Sequence, residues 1–486
     1  MRVRSTLLIL LFTAACGDGD GDGTGPEVAP AIAVVAPVPD SAIAGAPLGS
    51  VAVVVTRNGS NAVRGAWVKF AVVQGGGQLS SDSVQTNDAG VAEVLWTLGA
   101  QPGTQVVRAA ITGGEVTFTT RGAPVRAQVS TGLRHTCALN RRGTPYCWGS
   151  DENGQLGNDS ALAGRHVPTR VGGEARAFWS ISAGSAHTCG VAVDHRVFCW
   201  GNGFDGQLGN GMELSPTPKP VAGSTRFTKV VAGALHTCAL TASGEAWCWG
   251  RNTYGEIGGV GGSGVPRQMQ GPAPFSQLAG GGMHTCGRTM SGAIYCWGYN
   301  GLGQLGDGTQ ADRGSPVSVT GPAMSTISAG SAVSCATATG GVSYCWGEDN
   351  FEQLGNGNGE NPCMIKEFRH RCSTTPVAVQ PAISFGVLAP GFVHVCALTP
   401  VGAAWCWGDN TLGQLGTGSA SSATAMAVAH PQPFEDIDTG QFHTCAITST
   451  YAVQCWGENS SGQLGDGTAS RRHTPTSIAG GTLPQG

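Results

Sequence analysis

Seven His-Thr-Cys phrases, or close variants of them, hold the residues of this 486-residue chain that are best suited to chemistry. Each first cysteine is followed ten residues later by a second, and Trp-Gly comes directly after it. The seven pairs are Cys137 with Cys147, Cys189 with Cys199, Cys238 with Cys248, Cys286 with Cys296, Cys335 with Cys345, Cys396 with Cys406, and Cys445 with Cys455. An imidazole and two thiolates can bind zinc, whereas the two cysteines alone can form a disulfide.

The fifth repeat discriminates between these two chemistries. Val333 and Ser334 replace its histidine and threonine, yet both of its cysteines are present. A zinc site that uses the imidazole would not survive this change, whereas a disulfide would be unaffected. In the first repeat, the midpoint between the cysteines falls just before Gly143, where a hairpin would place them opposite each other on antiparallel strands. The pattern therefore favours disulfides and predicts no metal site.

The remaining three cysteines comprise one further pair and one single residue. Of 17 cysteines, Cys363 and Cys372 form one additional candidate pair, and Cys16 is left alone. Eight disulfides require an oxidising compartment, so the sequence predicts export.

The first 16 residues have the features of an export signal. Two arginines precede a short apolar run, Leu7 to Phe12, and Thr13-Ala14-Ala15 precedes Cys16. The apolar run is too short to span a bilayer. The segment resembles a bacterial lipoprotein signal, although Thr13 stands where that family prefers leucine. The resemblance implies lipidation of Cys16 and a membrane anchor; a plain secretory signal is the alternative.

Residues 17–30 are rich in Gly and Asp and are predicted to be a flexible tether. Residues 31–123 alternate like a small β-sandwich. Its predicted strands are Val51–Thr56, Ala66–Val73, Val91–Leu98, Gln105–Ile111 and Glu115–Thr120. The segments Ala66–Phe70, Gly75–Gly77, Asn87–Ala92 and Val116–Thr120 resemble the bacterial immunoglobulin-like domains of the invasin and intimin group. This resemblance implies a spacer that lifts another domain away from a membrane.

Residues 124–486 contain the repeats. Their first cysteines are 52, 49, 48, 49, 61 and 49 residues apart, and Gly-Gln-Leu-Gly-like turns follow each Trp-Gly. A period near fifty with many β-formers and glycines is typical of a β-propeller. The repeats resemble the regulator-of-chromosome-condensation repeat. The expected fold is therefore all-β: a seven-bladed propeller after an immunoglobulin-like sandwich, with the C-terminal tail beside the first blade.

The recurring side chains have predicted structural roles. The tryptophan of each Trp-Gly is expected to pack between blades, and each repeat histidine is expected to hydrogen-bond the backbone of its own blade. Singular features are therefore the better candidates for function.

The fifth interval is the clearest singular feature, because it is about twelve residues longer than its neighbours. A disulfide between Cys363 and Cys372 would close a small loop suited to protein binding. The candidate contact residues in this loop are Met364, Ile365, Lys366, Phe368, Arg369 and Arg371. Loops after Trp-Gly add Tyr254 and Phe351 to the candidates. A tolerated insertion and local packing are the respective alternatives.

Composition excludes several functions. The net charge is −4 and charged residues make up 12% of the chain, so no basic face for nucleic acid is indicated. Nucleophile-elbow, phosphate-loop and zinc-protease motifs do not occur. No enzymatic activity and no cofactor are therefore predicted.

The sequence predicts a monomeric, lipid-anchored protein of the bacterial cell envelope, at the outer membrane or cell surface. Its propeller would bind a protein or mediate adhesion; secretion or a periplasmic location is the alternative. A bacterial relative of the repeat family inhibits β-lactamases, so inhibition of a secreted or envelope enzyme is a second hypothesis. Glycan binding or a structural envelope role is a third.

Overall fold

The computed structural model describes residues 29–38, 41–44, 47–99, 103–123, 125–159, 162–173, 177–272, 274–357, 362–365 and 368–484. The signal, Cys16 and the tether up to residue 28 lie outside the described residues. The regular secondary structure of the described residues consists only of β-strands. No helix with the length and apolar character of a membrane span occurs there.

Ten strands form the N-terminal unit. They are β1 Ala31–Val34, β2 Ser41–Ile43, β3 Pro47–Arg57, β4 Asn61–Ala62, β5 Trp67–Gln74, β6 Gly77–Leu79, β7 Ser83–Gln85, β8 Val91–Leu98, β9 Gly103–Ile111 and β10 Gly114–Ala123. One sheet has the order β1-β3-β8-β6, with β4 beside β3, and the other has the order β2-β10-β9-β5-β7. All five predicted strands are present, and the five strands that were not predicted contain only two to four residues each.

The two sheets enclose one apolar core. Alternate residues of β3 and β8 from one sheet meet those of β5, β9 and β10 from the other, and Trp96 and Val68 are fully buried. The predicted turn before β8 is also present, because the Asn87 side chain accepts hydrogen bonds from Ala89 N–H and Val91 N–H at 2.9 and 3.0 Å. Residues 31–123 contain no cysteine, so packing holds this two-layer sandwich together.

Seven sheets follow, each built from one continuous stretch of chain and each with four strands except the fifth, which has five. The first three blades are β11 Gln128–Thr131, β12 His135–Leu139, β13 Pro145–Gly149, β14 Arg165–Arg170; β15 Phe178–Ala183, β16 His187–Ala192, β17 Val197–Asn202, β18 Leu214–Pro220; and β19 Lys229–Ala232, β20 His236–Leu240, β21 Ala246–Gly250, β22 Ser263–Gln268.

The last four blades are β23 Phe275–Gly280, β24 His284–Thr289, β25 Ile294–Gly298, β26 Arg313–Ser318; β27 Ser328–Ala329, β28 Val333–Thr337, β29 Ser343–Glu348, β30 Pro362–Ile365, β31 Phe368–Ala378; β32 Val387–Pro390, β33 His394–Leu398, β34 Ala404–Gly408, β35 Ser422–Ala427; and β36 Phe434–Thr439, β37 His443–Thr448, β38 Ala452–Gly457, β39 Arg472–Thr482. We call the four strands of a blade A to D in chain order.

A disulfide joins strands B and C in every blade. Cys137 lies directly opposite Cys147, and their Cα atoms are 4.1 Å apart. The other six disulfides repeat this register and distance: Cys189 with Cys199, Cys238 with Cys248, Cys286 with Cys296, Cys335 with Cys345, Cys396 with Cys406, and Cys445 with Cys455. All fourteen cysteines are fully buried. The cysteines predicted to pair are the ones that the structure joins.

The recurring phrase connects each blade to the next. His135 Nε2 lies 3.0 Å from Thr188 Oγ1 of the second blade, and that hydroxyl donates to the carbonyl oxygen of Gln155 at 3.1 Å. The Trp200 indole N–H donates to the same oxygen at 2.9 Å. A Cβ on Gly157 would lie 2.6 Å from the Trp200 indole nitrogen, so the turn requires glycine there. The tryptophan prediction is therefore correct, but the histidine prediction is wrong: histidine bonds the neighbouring blade.

The interface between the fifth and sixth blades lacks the hydrogen bond between histidine and threonine. Val333 replaces the donor histidine of the fifth blade, and Val395 replaces the acceptor threonine of the sixth. Both valines are buried in one apolar cluster. Both polar partners are absent together, so neither is left buried without a hydrogen bond.

The ring closes between the seventh and first blades through side chains. The Asp436 and Asp438 carboxylates accept hydrogen bonds from Val129 N–H and Thr131 N–H at 2.9 and 2.8 Å. The predicted tail pairing is wrong in detail, because β39 pairs with β38 inside the seventh blade. The end of the tail reaches the first blade, where the Asn140 amide donates to the Pro484 carbonyl oxygen at 2.7 Å.

Candidate protein-binding face

Two sets of loops lie at the same end of every blade. The Ser150 N–H, just after Trp-Gly in the first blade, donates to the carbonyl oxygen of Arg134, just before the histidine, at 2.8 Å. Equivalent bonds occur in all seven blades. The A–B turns and the C–D loops therefore share one end of the disc, which we call the Trp-Gly face. The B–C hairpins and the connections between blades form the opposite face.

The A–B turns are joined to each other around the axis. The turns of the first six blades each donate a backbone N–H to the turn of the next blade, at N···O distances between 2.9 and 3.4 Å. Six such links connect the seven turns: Leu133 to Ser185, Ser185 to Ala234, Ala234 to Gly281, Gly282 to Gly330 and Ser331, Ser331 to Gly391, and Phe392 to Gly440. This collar holds the centre of the Trp-Gly face in a fixed arrangement.

Large exposed apolar side chains concentrate on the Trp-Gly face. Among the described propeller residues there are eleven, and seven of them belong to this face. These seven are Leu133, Leu162, Phe204, Met212, Val260, Phe351 and Phe392. Of the other four, Met290 and Val401 lie on the opposite face, and two belong to outer strands. This one-sided distribution makes the Trp-Gly face the candidate interaction surface.

Two aromatic pairs reinforce this face. The rings of Phe392 and Phe442, from adjacent A–B turns, are 6.1 Å apart, and those of Tyr254 and Tyr299, from adjacent C–D loops, are 4.9 Å apart. Phe351 is 42% exposed. The sequence prediction placed Tyr254 and Phe351 correctly on one face but missed the A–B turns. The variable pair of residues before each His-Thr-Cys was the available signal, because it changes while the phrase around it repeats.

The long fifth interval forms a β-hairpin on the Trp-Gly face. Strand β30 pairs with the first half of β31, and the Cys363 and Cys372 Cα atoms are 5.6 Å apart in the predicted eighth disulfide. Lys366 lies outside the described residues, as do the side chains of Met364, Ile365, Phe368 and Arg369. The structure therefore locates the hairpin that carries these five candidates.

Arg371, the sixth candidate of this loop, lies at the base of the hairpin. Its guanidinium forms ion pairs with Asp349 at 3.2 Å and with Glu352 at 3.7 Å, and its backbone N–H donates to the Asn350 side chain at 2.9 Å. Burial raises the pKa of Asp349 despite the arginine. Because Arg371 is committed to these contacts, it anchors the hairpin and is not available as a free contact residue.

The C–D loops of the first two blades are acidic. Four exposed carboxylates, Glu152, Asp159, Asp205 and Glu213, form no ion pair among the described residues. Leu162, Phe204 and Met212 belong to the same two loops, which the Asn202 and Asn153 side chains join at 3.1 Å. This sector of the face combines exposed apolar groups with negative charge.

The repeat histidines cannot act on a ligand. All six are buried, and burial lowers the pKa to about 4 for His135 and His236 and to about 3 for His187, His284, His394 and His443. No group of three or more His, Cys, Asp or Glu side chains with metal-binding geometry occurs in the described ranges. The six repeat histidines are therefore structural groups inside the ring and do not belong to the exposed face.

Fold and face together define a disulfide-stapled, seven-bladed propeller that presents one apolar face. Comparison with known proteins places this propeller in a family. The chain matches the RCC1-like domain over residues 95–380, which is more than half of its length, and regulator of chromosome condensation (RCC1) repeats over residues 402–447 and 434–463. The chain belongs to the RCC1-like domain family.

Curated relatives match over short segments. These include the probable E3 ubiquitin-protein ligase HERC6 of Homo sapiens, 41% identical over 105 residues, covering 20% of this chain and 9% of the relative. The ultraviolet-B receptor UVR8 of Arabidopsis thaliana is 37% identical over 89 residues, covering 18% and 20% respectively. The matched segments are a small part of both relatives, so their activities do not transfer.

Solved structures match over about 70% of the chain. Human WBSCR16 has a TM-score of 0.62 at 23% identity, covering 70% of this chain and 94% of that one. The yeast RCC1 protein Prp20, solved bound to Kap60, has a TM-score of 0.61 at 18% identity, covering 73% and 84%. At these identities the likeness shows the fold alone.

Proposed function

We propose that this chain is an exported, lipid-anchored protein of the bacterial cell envelope whose propeller binds a protein partner through the Trp-Gly face. The observation that carries the proposal is the concentration of exposed apolar side chains on that face. The disulfide-tied hairpin of the fifth blade belongs to the same face. Such an ordered surface loses little conformational freedom when it binds.

Export is supported by the disulfides. Eight bridges need an oxidising compartment, and seven of them are fully buried within thin sheets. The signal-like start and Cys16 supply the route and the anchor in this proposal. The sandwich would be an immunoglobulin-like spacer between membrane and propeller.

Protein binding is also the role that relatives suggest. A second structure of Prp20p, from Saccharomyces cerevisiae, was described together with that protein's binding properties to Gsp1p and histones, and its TM-score with this chain is 0.60. An ordered face with exposed apolar side chains is suited to binding a protein. The proposal therefore includes no enzymatic step and no nucleic-acid ligand.

Inhibition of a secreted or envelope enzyme is a second candidate. The β30–β31 hairpin favours it, because a hairpin closed by a disulfide and anchored by Arg371 is suited to entering a cleft. A stable one-to-one complex that abolishes the activity of a single enzyme would distinguish inhibition from adhesion.

Paired surface variants test the face. The oxidised full chain would be used to capture proteins from envelope extracts, beside F204S/F351S on the Trp-Gly face and M290S/V401S on the opposite face. All four side chains are exposed, so none of these changes should disturb the fold. We expect one protein to be captured by the native chain and by M290S/V401S but not by F204S/F351S. Equal capture by both variants would contradict the proposed face, and capture of polysaccharide alone would indicate a glycan ligand.

Anchoring is tested separately. Cys16→Ala should move the protein from the detergent phase to the aqueous phase in phase partitioning and abolish incorporation of labelled fatty acid. Unchanged partitioning would contradict the lipid anchor without affecting the proposed binding face.

A further inference from the structure

A cleft of about 310 Å³ lies between the outer strands of the first two blades. Its walls come from the end of β14, the segment just after it and the end of β18. Pro145, which begins the C strand of the first blade, also lines it. Because C strands run toward Trp-Gly, the cleft opens at the opposite face. It is therefore separate from the surface described above, and its volume is within the range of ligand pockets.

The charged lining of the cleft is entirely basic. Arg170, Arg196 and Lys219 line it, and no carboxylate does. Arg196 is paired with Asp194 at 2.7 Å, which leaves Arg170 and Lys219 as exposed cations without an ion pair among the described residues. This local excess of positive charge occurs in a chain whose net charge is −4. The cleft therefore attracts an anion, whereas the chain as a whole carries a net negative charge.

Three prolines stiffen the walls of the cleft and leave the recognition of an anion mainly to side chains. Pro145, Pro218 and Pro220 have no backbone N–H, and the N–H groups of Val171 and Gly172 already donate to the carbonyl oxygens of Pro145 and Gly157. The cations are therefore the main groups that can hold an anion. The Arg196 guanidinium lies 5.2 Å from the centre of the Phe198 ring, which holds it in place between the blades. An added Cβ on Gly173 would lie 3.7 Å from Pro218 Cδ, so the two walls approach each other closely.

We propose that this cleft binds an acidic segment of a protein, with Arg170 and Lys219 contacting its carboxylates and Arg196 contributing from the wall. The juxtaposition of two unpaired cations with a proline-walled cavity carries the proposal. Carboxylate side chains suit it because guanidinium and ammonium groups form charge-assisted hydrogen bonds with them. The site does not depend on the Trp-Gly face.

The test uses rhodamine-labelled hexaglutamate as the probe and fluorescence anisotropy with the oxidised full chain. The cleft variant is R170Q/K219Q. The matched control is R267Q/R471Q, which removes the same charge from two exposed positions. Arg267 faces Cys248 in the third blade as Lys219 faces Cys199 in the second, so the control includes the equivalent strand position.

Saturable binding to the native chain is expected, with affinity reduced at least about fivefold in R170Q/K219Q and less than about twofold in R267Q/R471Q. Equal losses in both variants would show a nonspecific charge effect and overturn the proposal. Absence of saturable binding would overturn it as well. Binding of heparin but not of hexaglutamate would replace the acidic protein segment with a sulfated polysaccharide.

Discussion

The sandwich and the propeller are both all-β, yet they are held together in different ways. The sandwich encloses one core between two sheets, and its buried polar side chains, Thr86, Gln105 and Thr120, do not titrate. Each blade has only four or five short strands and cannot bury a core alone. Disulfides within blades and hydrogen bonds between them compensate. The chain therefore places covalent and polar stabilisation where hydrophobic burial per unit is smallest.

Reduction of the disulfides should have the largest effect, because it destabilises the propeller and leaves the cysteine-free sandwich unchanged. The bridges are buried, so they would be reduced with dithiothreitol in urea and the urea then removed while dithiothreitol is kept. Each native disulfide typically contributes about 2–5 kcal/mol, so the propeller should lose at least about 10 kcal/mol and stay unfolded. Hydrogen-exchange mass spectrometry of the full chain would follow both regions together. Protection of β3, β8 and β9 should persist, and its loss alongside the blades would show that the sandwich depends on the propeller.

Acid should separate the two regions next. Folded-state pKa values of about 3 to 4 for the six histidines lie below the ordinary 6.5, so their stabilisation is lost as the pH falls from about 7 toward 4. Burial raises the pKa of Asp436 to about 7 and that of Asp438 to about 6. Their contribution is lost as the pH rises, so it offsets part of the histidine effect.

The histidines are more numerous than the two aspartates, so the propeller should lose stability as the pH falls from about 7 to 5. Urea unfolding of the two regions at a series of pH values measures this difference. A pH-independent propeller, or a sandwich that weakens equally, would contradict the assignment of the histidines as buried neutral groups.

Truncation of a side chain in the core of the sandwich should destabilise the sandwich and leave the propeller unchanged. Phe70→Ala removes a ring that the two sheets bury, at a cost of about 3–5 kcal/mol to the sandwich. The blades should keep their exchange protection, because no disulfide or bond between blades changes. Trp67→Ala on the same strand is a suitable control, since Trp67 is exposed and should cost little.

The smallest effect concerns the bonds between blades. Thr188→Val leaves His135 Nε2 without its partner and should cost about 1–3 kcal/mol. Conversely, V333H/V395T would install the missing pair between the fifth and sixth blades. Urea unfolding of both single variants and the double variant should show favourable coupling, and additive costs would contradict the role given to the pair.

Repetition allowed much of the fold to be predicted. Seven copies of one phrase predicted the blades and the cysteine pairing, because the fifth copy kept its cysteines while losing its histidine. The hydrogen-bond partner of the repeat histidine was not predictable from one repeat. It lies about fifty residues away on the next blade, and the compensating Val395 acquires meaning only once the blades are side by side.

The sequence alone determined the local elements of this protein: the strands, the hairpin turns, the disulfides across each hairpin and the one long loop that departs from the repeat. These depend on residues close together in the chain, whose spacing is fixed by strand and turn geometry. The tertiary structure decided which loops share a face, that Arg170 joins Lys219 in a cleft, and that Arg371 anchors its hairpin. These depend on contacts between segments that are distant in the chain, whose positions only the folded blades and the closed ring establish.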